Sequence, residues 1–139
     1  MSNRPMQALV IHPHGTAASG VRSISTSLTN LQKIVGGYLE PVYGYRAADG
    51  SLLNWPTATL YVNELGKIHG APENLVATAL WWALDPQAAG RNLLVGTVVV
   101  LGPGEEDGGG ESPVPEHVMA MFTALCDGED ITDSQLADH

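Results

Sequence analysis

The sequence predicts one α+β domain: a small mixed β-sheet of about five strands with helices packed on one face. Three observations lead there. The periodic segments run in the order ββαββαβα, mixed but without the strict alternation of a doubly wound fold. Residues 93–101 (LLVGTVVVL) are almost wholly apolar and short, the pattern of a central strand buried on both faces. With 139 residues and 44% hydrophobic content, the chain is long enough to bury a core without staples, and its lone Cys126 has no intramolecular partner. An opening hairpin followed by a helix and further strands is also how ubiquitin-like β-grasp folds begin, a likeness of fold that carries no function.

The elements follow in order. Residues 6–12 (MQALVIH) form an apolar run closed by Pro13, a strand and turn. Residues 21–25 alternate apolar and polar and make the second arm of a hairpin, across a loop too long for the tightest turns. Ser25, Thr26 or Ser27 then offers an N-cap hydroxyl for a helix with Leu28, Leu31, Ile34 and Val35 on one face. Gly36 and Gly37 supply the left-handed residue that ends it. Residues 38–43 read as a strand in which Pro41, lacking an N–H, indicates an edge or a bulge.

Residues 45–56 form a loop around Asp49-Gly50. Residues 58–62 are the next strand, and Gly66 can take positive φ in the turn after it. Asn74 is the best N-cap for a second helix, with Val76, Ala79, Leu80 and Ala83 as its expected buried stripe. Asp85-Pro86 stops that helix. A last helix covers residues 115–125. A single domain over residues 1–126 is therefore expected, with an acidic glycine-rich loop at 102–113 and an acidic flexible tail at 127–139.

Net charge is −9, and no Lys or Arg follows Arg91. Phosphate contacts require such cations, so direct nucleic-acid binding is not expected. The acids of the last third, Glu105, Glu106, Asp107 and Glu111 among them, read as a solubilising surface or, more sharply, as a DNA mimic that docks on a basic protein. No stretch reaches the roughly 18 apolar residues of a membrane span, and no apolar leader opens the chain, so a cytoplasmic location is expected.

Reactive chemistry is sparse. His12 and His14 flank a proline without a second zinc-type pair, and no metal or other cofactor is expected. Cys126 lies among acids, which disfavours a thiolate. Both glycine-rich stretches are out of context for phosphate: one follows a helix, the other carries carboxylates. What remains is a group of polar side chains at element ends, Tyr38, Glu40, Asn63, Glu64 and Asn74, as candidate ligand contacts. Glu40 and Glu64 would be the acid/base pair if the protein were an enzyme, which needs one of them desolvated. Trp81 and Trp82 cannot share one helix face. One packs on the sheet, and the other is a candidate anchor for a partner or a second copy of the chain.

Four ordered motifs carry a resemblance: residues 31–40 (LQKIVGGYLE), residues 62–67 (VNELGK), Pro72 and Asn74 with residues 77–80 (ATAL), and Val95-Gly96 with residues 98–102 (VVVLG). Over most of the chain it resembles the domain-of-unknown-function family 3846, departing in the insert at 47–56 and the enlarged acidic loop after Gly102. The resemblance implies a small protein of bacteria, plasmids or phages, actinobacterial ones included, of mobile-element or phage origin and without established activity. It carries over no catalytic residue. The leading expectation is a non-enzymatic accessory protein that binds a host or phage protein or a small ligand.

Overall fold

A computed structural model of the chain describes residues 5–13, 19–104 and 112–137. Strands β1 (Pro5–Ile11), β2 (Gly20–Ser25), β3 (Leu39–Gly44), β4 (Ala58–Asn63) and β5 (Val98–Leu101) form one sheet in the order β2-β1-β5-β4-β3. Helices α1 (Leu28–Val35), α2 (Leu75–Leu84) and α3 (Glu116–Ala137) complete the expected sequence of elements, and the class is α+β. Every neighbouring pair of strands is antiparallel, so the sheet is not mixed. β1 and β5 are central neighbours and run antiparallel as well, which ends the β-grasp likeness at the opening hairpin and helix.

The helices do not share one face. β2 lies at one edge of the sheet and β3 at the other, and α1 carries the chain between them. Leu31 and Val35 of α1 pack with Ala8, Val10, Val99 and Leu101. On the opposite face Leu9, Ile11, Leu60, Val62, Val98 and Val100 meet α2 through Leu80, Trp81 and Leu84, and α3 through Val118 and Phe122. Alternation along the strands feeds both layers. β5, inserted between β1 and β4, is buried along its whole length, as its apolar run requires.

Local chemistry explains the boundaries. Ser27 caps α1 by accepting the Asn30 N–H, and Gly36, at φ 89°, ends it with its own N–H on the Gln32 carbonyl. Pro41 sits in β3, an edge strand. The first half of the apolar run 93–101 is not strand. Gly96, at φ 72°, turns the chain there; Val95 makes an isolated bridge to Glu73, and only Val98–Leu101 pairs within the sheet.

The buried stripe of α2 is Ala77, Thr78, Leu80, Trp81 and Leu84, not the expected Val76, Ala79, Leu80 and Ala83. Both sets obey helical spacing in a helix that is apolar nearly all round, so periodicity does not choose between them. The cap and the tryptophan choose. Asn74 ties the helix start to Ile11 and Gly96, and the Trp81 indole N–H donates to the Tyr43 carbonyl at 3.2 Å.

The end of α2 is held by the two residues that follow β3. Tyr45 and Arg46 N–H groups donate to the Leu84 carbonyl, and Arg46 Nε donates to the Ala83 carbonyl at 2.7 Å. The Arg46 carbonyl in turn accepts from Thr57 Oγ1 and from His117 Nε2, which therefore carries the imidazole proton. The last helix extends to Ala137, beyond the expected end at residue 125, so helical backbone replaces most of the expected tail. None of the helices among the described residues is long and apolar enough to cross a membrane.

Candidate functional site

Residues 31–40 and 62–67 are joined by one side chain, that of Asn63. β3 and β4 pair with Leu39 opposite Asn63 and Glu40 opposite Val62, and the Tyr38 carbonyl accepts the Glu64 N–H at 2.8 Å. Asn63 Oδ1 accepts the Leu65 N–H at 3.0 Å, which starts the turn that leads to Lys67. The same Asn63 side chain lies over Gly37, where a Cβ would stand 2.7 Å from Oδ1. Gly36 thus ends the helix, and Gly37 is bare so that Asn63 can close over it.

This packing places the polar group around one edge of the sheet. Glu40, Asn63 and Glu64 line a cavity of about 80 Å³ with Lys67 and Asn92. It adjoins an open groove of about 530 Å³ that shares Lys67, Asn92, Leu93 and Val95 and adds Glu73, Trp82 and Arg91. Three segments build the groove wall. The turn after β4 brings Lys67, the lead-in to α2 brings Glu73, and the loop 90–95 is pinned beside it. Pinning comes from the Asn74 N–H on the Leu94 carbonyl, the Gly96 N–H on the Pro72 carbonyl, and the Trp82 indole N–H on the Asn92 carbonyl at 2.9 Å. Lys67 Nζ donates to Asn92 Oδ1.

The expected residues therefore divide. Glu40, Asn63, Glu64 and Trp82 come together at the two adjoining cavities. Tyr38, 66% exposed, contributes its backbone and lines neither. Asn74 is withdrawn altogether. It is 1% exposed, its Oδ1 accepts the Ala77 N–H, and its Nδ2 donates to the Ile11 and Gly96 carbonyls at 2.9 Å each, leaving nothing for a ligand. Trp81 is buried, so Trp82 is the indole that reaches the groove.

Sequence reading missed Lys67, Arg91 and Asn92. The signal was there: with only six cations in the chain, each one outside a structural contact is informative. Arg46 caps α2, whereas the Arg91 guanidinium has no hydrogen-bond partner among the described residues.

The groove presents two cations, Lys67 and Arg91, one carboxylate, Glu73, and the flat apolar face of Trp82. Glu40 and Glu64 are both exposed where they line the smaller cavity. Among the described residues no three His, Cys, Asp or Glu side chains converge as a metal site would need. His14, His139 and the acids Glu105, Glu106, Asp107 and Glu111 lie outside the described residues.

A family model, Domain of unknown function (DUF3846), matches residues 6–127. The chain belongs to this family. The match takes in both cavities, the five strands apart from Pro5 of β1, and the start of α3. No curated protein and no solved structure matches the chain.

Proposed function

We propose that this DUF3846 protein acts by binding, and that its site is the groove between Lys67, Trp82 and Arg91. The observation that carries this reading is the placement of two of the chain's six cations, against the single carboxylate of Glu73, in the lining of one concave site of a protein of net charge −9. Lys67 is held in place by Asn92, and the Arg91 guanidinium has no hydrogen-bond partner among the described residues. Such a pair suits a small ligand with a carboxylate or phosphate group, and the half-buried Trp82 indole gives its remainder a flat surface. Glu40 and Glu64 at the adjoining cavity would accept hydrogen bonds from amino or hydroxyl groups of the same molecule. An accessory role on a phage or mobile element rests on the family resemblance.

Chemical-shift mapping of the isotope-labelled protein with inorganic phosphate, succinate and adenosine monophosphate tests the site. Shifts are expected at the amides of residues 66–67 and 90–93 and at the Trp82 indole N–H. Lys67→Met, which keeps the apolar stem, and Arg91→Ala should each weaken the response about tenfold or more, the cost of one charge-assisted hydrogen bond. Shifts confined to other surfaces, or unchanged by both substitutions, would overturn the assignment.

A further inference from the structure

A second concave site lies on the α1 face of the sheet, independent of the Lys67 groove. Helix α1 has eight residues and spans about 12 Å, whereas a six-residue strand spans about 20 Å. The helix therefore cannot cover the full length of the strands beneath it. Thr59 and Tyr43 sit opposite each other on β4 and β3, and Thr59 shares its face of β4 with Tyr61, which packs in the α1 layer. Where these strands run on, a groove of about 590 Å³ opens, walled by Trp55, Pro56, Pro103 and Pro115 and lined by Tyr43 and Thr59.

Its chemistry differs sharply from that of the first groove. Among the described residues no charged side chain lines it. Trp55 is 62% exposed and Tyr43 is 39% exposed, in a protein with few aromatics to leave uncovered. Thr59 is 5% exposed, and its hydroxyl has no hydrogen-bond partner among the described residues. A buried hydroxyl normally finds a partner, and one left open at a lined cavity points to a polar atom delivered from outside. The Trp55 indole N–H and the Tyr43 hydroxyl are also unpartnered among the described residues.

We infer that this groove binds an uncharged heteroaromatic ring with a hydrogen-bonding edge, the chemistry of a nucleobase. The volume falls within the range of small-molecule sites, which are mostly apolar with a few placed polar groups. Aromatic and proline walls suit a flat ring with apolar faces, because every base presents a π-face on which a side chain can stack. The polar groups are few and are hydroxyls and an indole N–H. They match a ring whose polar atoms are confined to its edge, whereas a sugar's hydroxyls, directed all round, would face apolar walls. No cation lines the groove among the described residues, and with the net charge of −9 this disfavours a charged phosphate here.

The test is a titration of the labelled protein with adenosine, uridine, adenosine monophosphate and glucose, read at the Trp55 indole N–H and the amides of β3 and β4. Nucleosides are expected to shift these signals, with the monophosphate no tighter than its nucleoside. Trp55→Ala should weaken nucleoside binding about tenfold or more by removing the stacking surface. Thr59→Val, which keeps the shape and the β-branch, should weaken it several-fold, and Thr59→Ser should restore it. The proposal is overturned if neither nucleoside moves the Trp55 signal, if glucose does so in their place, or if Thr59→Val binds as the parent does. It is equally overturned if binding depends on Lys67 and Arg91, which would place the nucleoside in the other groove.

Discussion

Asn74 shows how one side chain can decide a helix's position. Its oxygen caps α2 and its amide nitrogen satisfies carbonyls from β1 and from the lead-in to β5, so it fastens three segments. Asn74→Ala removes the cap and both buried donors, a combined loss of about 2–4 kcal/mol. Asn74→Asp, although an equally good cap residue, sets a carboxylate against two carbonyl oxygens and should be no milder. Urea unfolding of both variants measures this, and an aspartate variant as stable as the parent would contradict it.

Asp49 offers a milder test at the same scale. The Ser51 hydroxyl, and then its N–H, hold the exposed Asp49 carboxyl below its usual value. A depressed folded value means that this contribution is present above the unfolded value and fades as pH falls through the folded one. Ser51→Ala should therefore move the Asp49 titration upward, as followed by carboxyl-carbon chemical shifts. A titration that stays in place would show that the hydroxyl is not the main cause.

At the level of elements, the glycine pair between α1 and β3 works with the turn after β4. Gly37→Ala would push a methyl into Asn63, which is not a free end, because Oδ1 is committed to the Leu65 N–H. Overpacking of this kind costs about 1–3 kcal/mol. It should also disturb Lys67 at a distance, so the groove signals at residues 66–67 should shift in the variant while those of β1 stay put. If only the amides next to residue 37 respond, the coupling of the two runs is refuted.

The ends of elements were legible in the sequence because single residues carry them: Ser27 and Asn74 as N-caps, Gly36 as a stop, Pro41 as a mark of the edge. The face of α2 was not legible, since its helix is apolar on several sides and the deciding bonds of Asn74 and Trp81 reach far along the chain. Residues 93–97 misled for a related reason: a buried loop and a buried strand share a composition, and Gly96 alone hinted at the break. For the site, the carboxylates and Asn63 were visible as polar residues at strand ends. Lys67 and Arg91 become a pair only once the loop 90–95 is pinned beside the lead-in to α2.

For the molecule as a whole, the decisive feature is that one four-residue strand serves two cores. Val99 and Leu101 of β5 support the α1 layer, while Val98 and Val100 support the α2–α3 layer. Weakening either layer frees one face of β5, and the strand cannot keep its pairing to β1 and β4 on the other face alone. The two layers should therefore unfold together, despite lying on opposite sides of the sheet. Leu31→Ala, in the α1 layer, should cost about 2–5 kcal/mol and Val100→Ala, in the other, about 2 kcal/mol. Each is expected to lower one shared transition. Tryptophan fluorescence, to which Trp81 contributes from the α2–α3 layer, should then change at the same denaturant concentration as the far-ultraviolet circular dichroism. A Leu31→Ala protein that loses helical signal first, with the tryptophan transition left where it was, would show instead that α1 is a dispensable cover and that β5 holds through one face.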